Sequence, residues 1–253
     1  MNTSGNTREV DQVMFKDFLK QVLLKCGIKV ERGRPRPSWP GENDRFSYQN
    51  RHVKFSIKPG DKVLDIGSGA YPFPHASVLV DRFLERTTHR YEDLVTNGRP
   101  LVIADVLALP FSDKFFDFVY CSHLLEHVEN PIQACSEIMR VGRRGYIETP
   151  TLAKDMLFAW ADRMHKWHIV AIADSLIFFE YSKRQLQGIR SSTWRDIIFD
   201  RFYHPLQAAF YENQDVFNTM LCWDGSFKAA VFRLDGSVEL LGYETPHPQH
   251  RLP

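Results

Sequence analysis

From residue 62 the chain alternates short apolar runs with polar breaks: Lys62–Ile66, Ser77–Val80, Leu101–Ala104, Phe116–Cys121 and Tyr146–Glu148. Their near-continuous hydrophobicity predicts strands buried on both faces, as a parallel sheet requires. Between the fourth and fifth runs, "NPIQACSEIMRVG" has helical spacing and stops at Gly142. Strands alternating with helical segments predict right-handed crossovers and a doubly wound sheet. Residues 216–234 read differently, because two alternating runs flank Asp224-Gly225, a hairpin turn signal. The expected architecture is α/β, with a mostly parallel seven-stranded sheet closed by a C-terminal antiparallel hairpin.

Upstream, residues 12–26 place Met14, Phe18 and Val22, and also Phe15, Leu19 and Leu23, on one helical face that ends at Gly27. The following "KVERGRPRPSWPGENDR" reads as a linker, with Arg32, Arg34 and Arg36 on a solvated connector. Residues 151–213 are rich in aromatics and contain "HKWHIVAIADSLIFFEY", read as a hairpin or a helix-plus-strand insertion. The expected organisation is an N-terminal helix and linker over 1–50, a core over 51–150, an insertion over 151–213 and the hairpin over 214–253.

Composition narrows the class. In 253 residues, 43% hydrophobic and 25% charged, the balance is that of an ordinary globular chain. A net charge of +1 gives no reason to expect a nucleic-acid partner. Cys26, Cys121, Cys135 and Cys222 form no CxxC pair, which speaks against a structural zinc site or disulfide framework and for a reducing cytoplasm. No run approaches the roughly 18 apolar residues of a membrane span.

The candidate chemistry begins at "VLDIGSGAYPFP". Gly67 and Gly69 permit positive φ and close backbone approach. A pyrophosphate turn needs a third glycine and a helix N-terminus, whereas Pro72 and Pro74 stand here and lack amide hydrogens. A dinucleotide is therefore a poor fit. Asp65, Asp81 and Asp105 each stand in or just after a strand, so in a parallel sheet they would lie along its carboxyl edge, where ligands bind. Asp65 would attract an ammonium, Asp81 would accept from ribose hydroxyls and Asp105 from an adenine amino group. A ligand with those parts and no phosphate is S-adenosylmethionine.

Four motifs in order, "VLDIGSG", "VDRF", "ADVLALPFSDKFFDFVYCSHLLEHVENP" and "EIMRVGRRGYIETP", resemble the class I, Rossmann-like S-adenosylmethionine-dependent methyltransferases of the small-molecule type. The resemblance covers about residues 50–150. It implies that Asp65, Gly67, Ser68 and Gly69 line the methionine portion of the cofactor. It further implies that Asp81, followed by Arg82, holds the ribose and that Asp105 with Val106 holds the adenine. Cys121, Ser122 and His123 would follow the fourth strand beside the methyl donor. In such proteins the acceptor is met by the N-terminal helix and by insertions after the fifth strand, which makes 151–213 the acceptor side. Tyr71, His165, Trp167 and His168 are the acceptor candidates, and a saccharide-like hydroxyl the preferred acceptor.

"SHLLEHV" places His123, Glu126 and His127 in H-x-x-E-H order, which is also an inverted zincin signature. A zinc hydrolase needs a third ligand and a helical context, and this element follows directly on an apolar strand. No metal ligand is therefore assigned, with Mg2+ kept as a hypothesis. An unactivated hydroxyl must lose its proton during methyl transfer, and histidine suits that task at neutral pH. His127 and His123, with Glu126 beside them, are the catalytic candidates. The expected function is O-methylation of a small-molecule or saccharide hydroxyl. The alternatives are N- or C-methylation of a small metabolite, or a non-catalytic cofactor-binding scaffold.

Overall fold

The computed structural model describes residues 45–87, 90, 92–158, 164–188 and 193–244, with residues 22, 25, 35, 37 and 38 singly. The chain divides into two units. One comprises residues 1–37 with 200–203, and its described part includes an antiparallel bridge between Pro35 and Phe202. The helix expected over 12–26 lies outside the described residues except for Val22 and Lys25, both helical, and Arg32, Arg34 and Arg36 lie outside them too. The other unit carries the rest of the chain.

In that second unit the strands β1 (Val63–Ile66), β2 (Val78–Asp81), β3 (Leu101–Ile103), β4 (Phe118–Ser122) and β5 (Arg144–Pro150) lie parallel in the order β3-β2-β1-β4-β5. A sixth strand, β8 (Asn218–Asp224), adds antiparallel to β5. The mostly parallel α/β sheet is as expected, with six strands where seven were anticipated. The difference lies at Asp224-Gly225. Gly225 makes the turn at φ +71°, but the two runs around it do not pair with each other as a hairpin. β9 (Lys228–Phe232) pairs instead with β7 (Ser175–Glu180) and β10 (Val238–Leu241), in a second sheet that β6 (Trp167–Ile172) completes in the order β10-β9-β7-β6. The reason is burial: Ala229, Ala230 and Val231 are all inside, so this run needs neighbours on both sides. The hairpin of β6 and β7 supplies one of them.

A second difference concerns the crossovers. Only the β4–β5 connection carries a helix among the described residues, α2 (Pro131–Val141), capped by the Asn130 side chain accepting from Gln133 N at 3.0 Å. The β1–β2 connection is a loop, because Pro72 and Pro74 deny a helix its amides. Phe73, between them, takes the helix's place on the sheet. It is 1% exposed and stacks on Tyr120 with centroids 4.1 Å apart and planes 2° off parallel. Val63, Leu79, Phe118 and Tyr146 complete this aromatic face, with Phe46 and Phe55 packed over it. Phe46 belongs to α1 (Arg45–His52). The opposite face, Leu64, Ile66, Val119, Cys121 and Ile147, packs in one core with α2 and the second sheet.

The loop containing "LPFSD" is tied to α2 by charge. Arg140 forks onto Glu137 at 2.6 and 2.8 Å and reaches the carbonyls of Leu109 and Phe111, while Leu109 N donates to Glu137 at 2.8 Å. The "D-x-x-x-L-P-F" block thus folds as a strap against the helix that follows.

Candidate active site

The register sets Ile66 beside Val80 and Cys121, Asp81 beside Ile103, and Ser122 beside Glu148, so these strand ends share one edge. At that edge a cleft of about 600 Å3 opens. Gly67, Ser68, Gly69, Asp81, Arg82, Asp105, Val106 and Ser122 line it, as do Tyr71, His123 and His127.

The glycine turn is built for close approach. Gly67 and Gly69 stand at φ +76° and +55°, where a side chain is strained. A Cβ on Gly69 would come within 3.3 Å of Arg90 Cδ. Asp81 holds the turn from the next strand: its carboxylate accepts from Gly69 N at 3.1 Å and Phe83 N at 2.9 Å. Asp105 accepts from Leu107 N at 3.0 Å and pairs with Arg82 at 3.1 Å. The hydroxyl of Ser68 is buried without a hydrogen-bond partner among the described residues. With no helix N-terminus behind the glycines, the cleft offers acids and backbone rather than a phosphate cradle, which fits S-adenosylmethionine and not a dinucleotide.

The far wall is the H-x-x-E-H element. His123 follows β4 at φ +55°, a backbone region uncommon for any residue but glycine, and its N–H donates to the Glu148 carbonyl at 2.8 Å. The chain then makes one 3-10 turn, Leu125–His127, so the three polar residues share a short turn rather than a helical face. The His123 ring lies between two buried carboxylates, Nε2 3.2 Å from Glu148 and Nδ1 3.4 Å from Glu126. His127 sets Nδ1 3.0 Å from the Met164 carbonyl and Nε2 3.8 Å from Glu126. Its ring meets that of His165 edge to face at 4.8 Å, and His165 Nδ1 lies 3.0 Å from Asp155.

Glu148 is fully buried yet held on every side. It accepts from Tyr48 and Tyr146, from Gln49 at 3.0 Å and from Ser122 at 3.3 Å. Burial alone would raise its carboxyl, but the hydrogen bond and charge of His123, then the tyrosine hydroxyls, outweigh that and hold it at about 2. Glu126 behaves likewise: burial raises it, and His123, His127 and His165 bring it down to about 2. His165 is pushed down by burial and up by Asp155 and Glu126, with a net rise. Both buried carboxyls are thus held toward the anionic form by the imidazoles beside them.

Several expected site residues lie elsewhere. Asp65 is 1% exposed and outside the cleft lining, where its carboxylate accepts from Phe73 N at 2.7 Å and orders the proline-rich turn. Cys121 is buried in the core on the opposite face of the sheet. Trp167 is turned inward, its Nε1 donating to the Val128 carbonyl at 2.7 Å, because β6 alternates and 167 falls on its buried face. His168 stacks on Phe179 at 5.6 Å, and His165 is buried against Asp155, so neither lines the cleft. Tyr71 does line it, with its hydroxyl 2.7 Å from Glu92. The Mg2+ hypothesis meets two imidazoles and one carboxylate here, not the oxygen shell that ion takes. Glu148 and Asp155 were missed, although an acid inside the apolar run "GYIETP" was a readable signal. Tyr48 and Gln49 carried no such signal, since their helix was expected as linker.

Residues 75–147 match the family described as "Methyltransferase domain". Cycloartenol-C-24-methyltransferase 1 of Oryza sativa subsp. japonica is 35% identical over 124 residues, 42% of this chain and 36% of that protein. The match thus spans only about a third of that curated relative's length. Among solved structures, the Haloferax volcanii complex of the Trm112 methyltransferase activator is 13% identical, with a TM-score of 0.45, over 74% of this chain and 92% of its own. A SAM dependent methyltransferase from Aquifex aeolicus is 19% identical, with a TM-score of 0.32, over 43% and 64%. The matched domain over residues 75–147 and the largely parallel sheet support a class I, Rossmann-like S-adenosylmethionine-dependent methyltransferase.

Proposed function

We propose that the chain methylates a hydroxyl of a small, polar, saccharide-like acceptor, with His123 taking the proton. S-adenosylmethionine, when bound, supplies a methyl group already activated on a sulfonium, so the protein's task is to hold acceptor and donor in line. In this reading Asp81 meets the ribose, Asp105 and Val106 the adenine, and the Gly67–Gly69 turn the methionine end. Tyr71, Glu92, Glu129 and Lys166 line the same cleft and offer an acceptor polar partners.

The observation that carries the base assignment is the His123 ring between Glu148 and Glu126. Glu148 receives Nε2–H and fixes the ring. A proton arriving at Nδ1 is then shared with Glu126, so the imidazolium formed as the hydroxyl reacts is stabilised by two anions. A second reading, C-methylation, is favoured by the C-24-methyltransferase activity for which the rice relative is named. It requires no oxygen base, whereas Glu92, Glu129 and Lys166 in the cleft lining suit a polar acceptor.

Incubation with methyl-labelled cofactor and fractionated small molecules identifies the acceptor. On that acceptor His123→Gln is expected to lower kcat at least a hundredfold, with cofactor binding retained. Turnover near the parent rate would remove His123 as base.

A further inference from the structure

We infer that Glu126, His127 and His165 form a binding site for a first-row transition-metal dication of the zinc type. H-x-x-E-H alone lacks a third ligand, and the fold brings His165 to it from just before β6. Each of the three residues offers a ligand atom within 4.8 Å of the other two.

Two further features separate this group from a chance cluster of polar side chains. The first is the state of the rings. A carbonyl can only accept, so Met164 O at 3.0 Å fixes the proton of neutral His127 on Nδ1 and its lone pair on Nε2. Asp155, at 3.0 Å, does the same for His165 Nδ1, and Tyr181 orients that carboxylate by donating to it at 2.9 Å. Metal-bound imidazoles are held in this way, with the outer nitrogen donating to a carbonyl or carboxylate. The second is Glu126 itself. It is 1% exposed, and its Oε2 has no hydrogen-bond partner among the described residues. A buried carboxylate oxygen left unpaired is costly unless something cationic meets it.

Two imidazoles and one carboxylate select zinc-like ions over Mg2+ or Ca2+, and three protein ligands leave a coordination position open. His127 and Met164 line the cleft, so that position faces it. The use of the ion rests on the function proposed above. An acceptor hydroxyl at the open position is acidified, its proton passes to His123, and its oxygen takes the methyl group as the sulfonium carbon–sulfur bond breaks.

The test is calorimetric titration of the chelator-stripped 253-residue chain with Zn2+ alone, with metal content measured after desalting. One ion per chain is expected. Asp155→Asn should weaken binding ten- to a hundredfold, and His165→Gln and Glu126→Gln more, whereas His75→Gln should not change it. Circular dichroism melts of the stripped variants check the fold. If one of them does not fold, the Co2+ form of the parent protein still decides, since imidazole ligation gives visible d–d absorption. Absence of stoichiometric binding, or binding untouched by these variants, overturns the site. Cofactor binding measured on the same stripped protein separates the two proposals: if it persists without Zn2+ binding, the metal site falls and the methyltransferase reading stands.

Discussion

Glu148 receives hydrogen bonds from α1, from its own strand and from β4, and faces the His123 ring at 3.2 Å. Replacing the carboxylate by an amide keeps the shape but puts an N–H where several donors converge. Glu148→Gln is therefore expected to lower kcat about a hundredfold through loss of His123 orientation. Cofactor affinity should stay within a few-fold, and stability should fall by about 1–3 kcal/mol. Kinetics with a fixed acceptor and chemical denaturation measure the two effects. An unchanged kcat would mean that Glu148 only braces α1. At this scale the sequence announced His123, Glu126 and His127 by their spacing. Their partners came from distant segments: Glu148 is 25 residues downstream of His123, and His165 is brought alongside by the entry into β6. Spacing along a chain records neighbours within one element, and these meetings are made by the sheet.

At the scale of elements, Phe73 stands in for a crossover helix. Phe73→Ala removes a side chain stacked on Tyr120 and edge-on to Phe55, and should cost about 3–5 kcal/mol in denaturant unfolding. A cost under about 1 kcal/mol would contradict that role. Gly145 in β5 has the opposite problem, since a Cβ there would meet Val119 O at 2.2 Å and the Trp223 ring at 2.9 Å. The strap over α2 yields a pH prediction. The Arg140 hydrogen bond holds the Glu137 carboxyl below its ordinary value, more than burial raises it. A lowered folded-state pKa contributes stability that is present above the unfolded value and lost as pH falls through the folded one. Glu137→Gln should thus destabilise the chain by about 1 kcal/mol at neutral pH, a modest figure because the pair is partly exposed. The gap to the parent protein should close as pH drops below the ordinary glutamate range. A gap independent of pH would remove the charge as its cause.

At the scale of the whole molecule, the parallel strands were legible as short apolar runs, of which β1 and β4 are buried along their whole length while β3, at the sheet edge, is only half-buried with Ile103 exposed. The second sheet was not. Asp224-Gly225 signalled a turn truthfully, but a turn signal does not name the strand's partner, and β9 finds its neighbours some 50 residues upstream and in β10. The helix-free β1–β2 crossover was half legible: Pro72 and Pro74 excluded a helix, while the ring that replaces it is one phenylalanine among 19. The cleft at the strand ends was the most legible part of the candidate site. Gly67, Asp81 and Asp105 each stand next to a strand end, and a parallel sheet brings such ends to one edge. Among the described residues no helix is long and apolar enough to cross a membrane.

The central claim is that this edge binds S-adenosylmethionine through the strand-end acids, and calorimetric titration of the full chain tests it most directly. The expected result is one cofactor per chain, with Asp81→Ala weakening binding at least tenfold while circular dichroism shows the fold intact. No binding by the parent chain, or equal binding by Asp81→Ala, would contradict it.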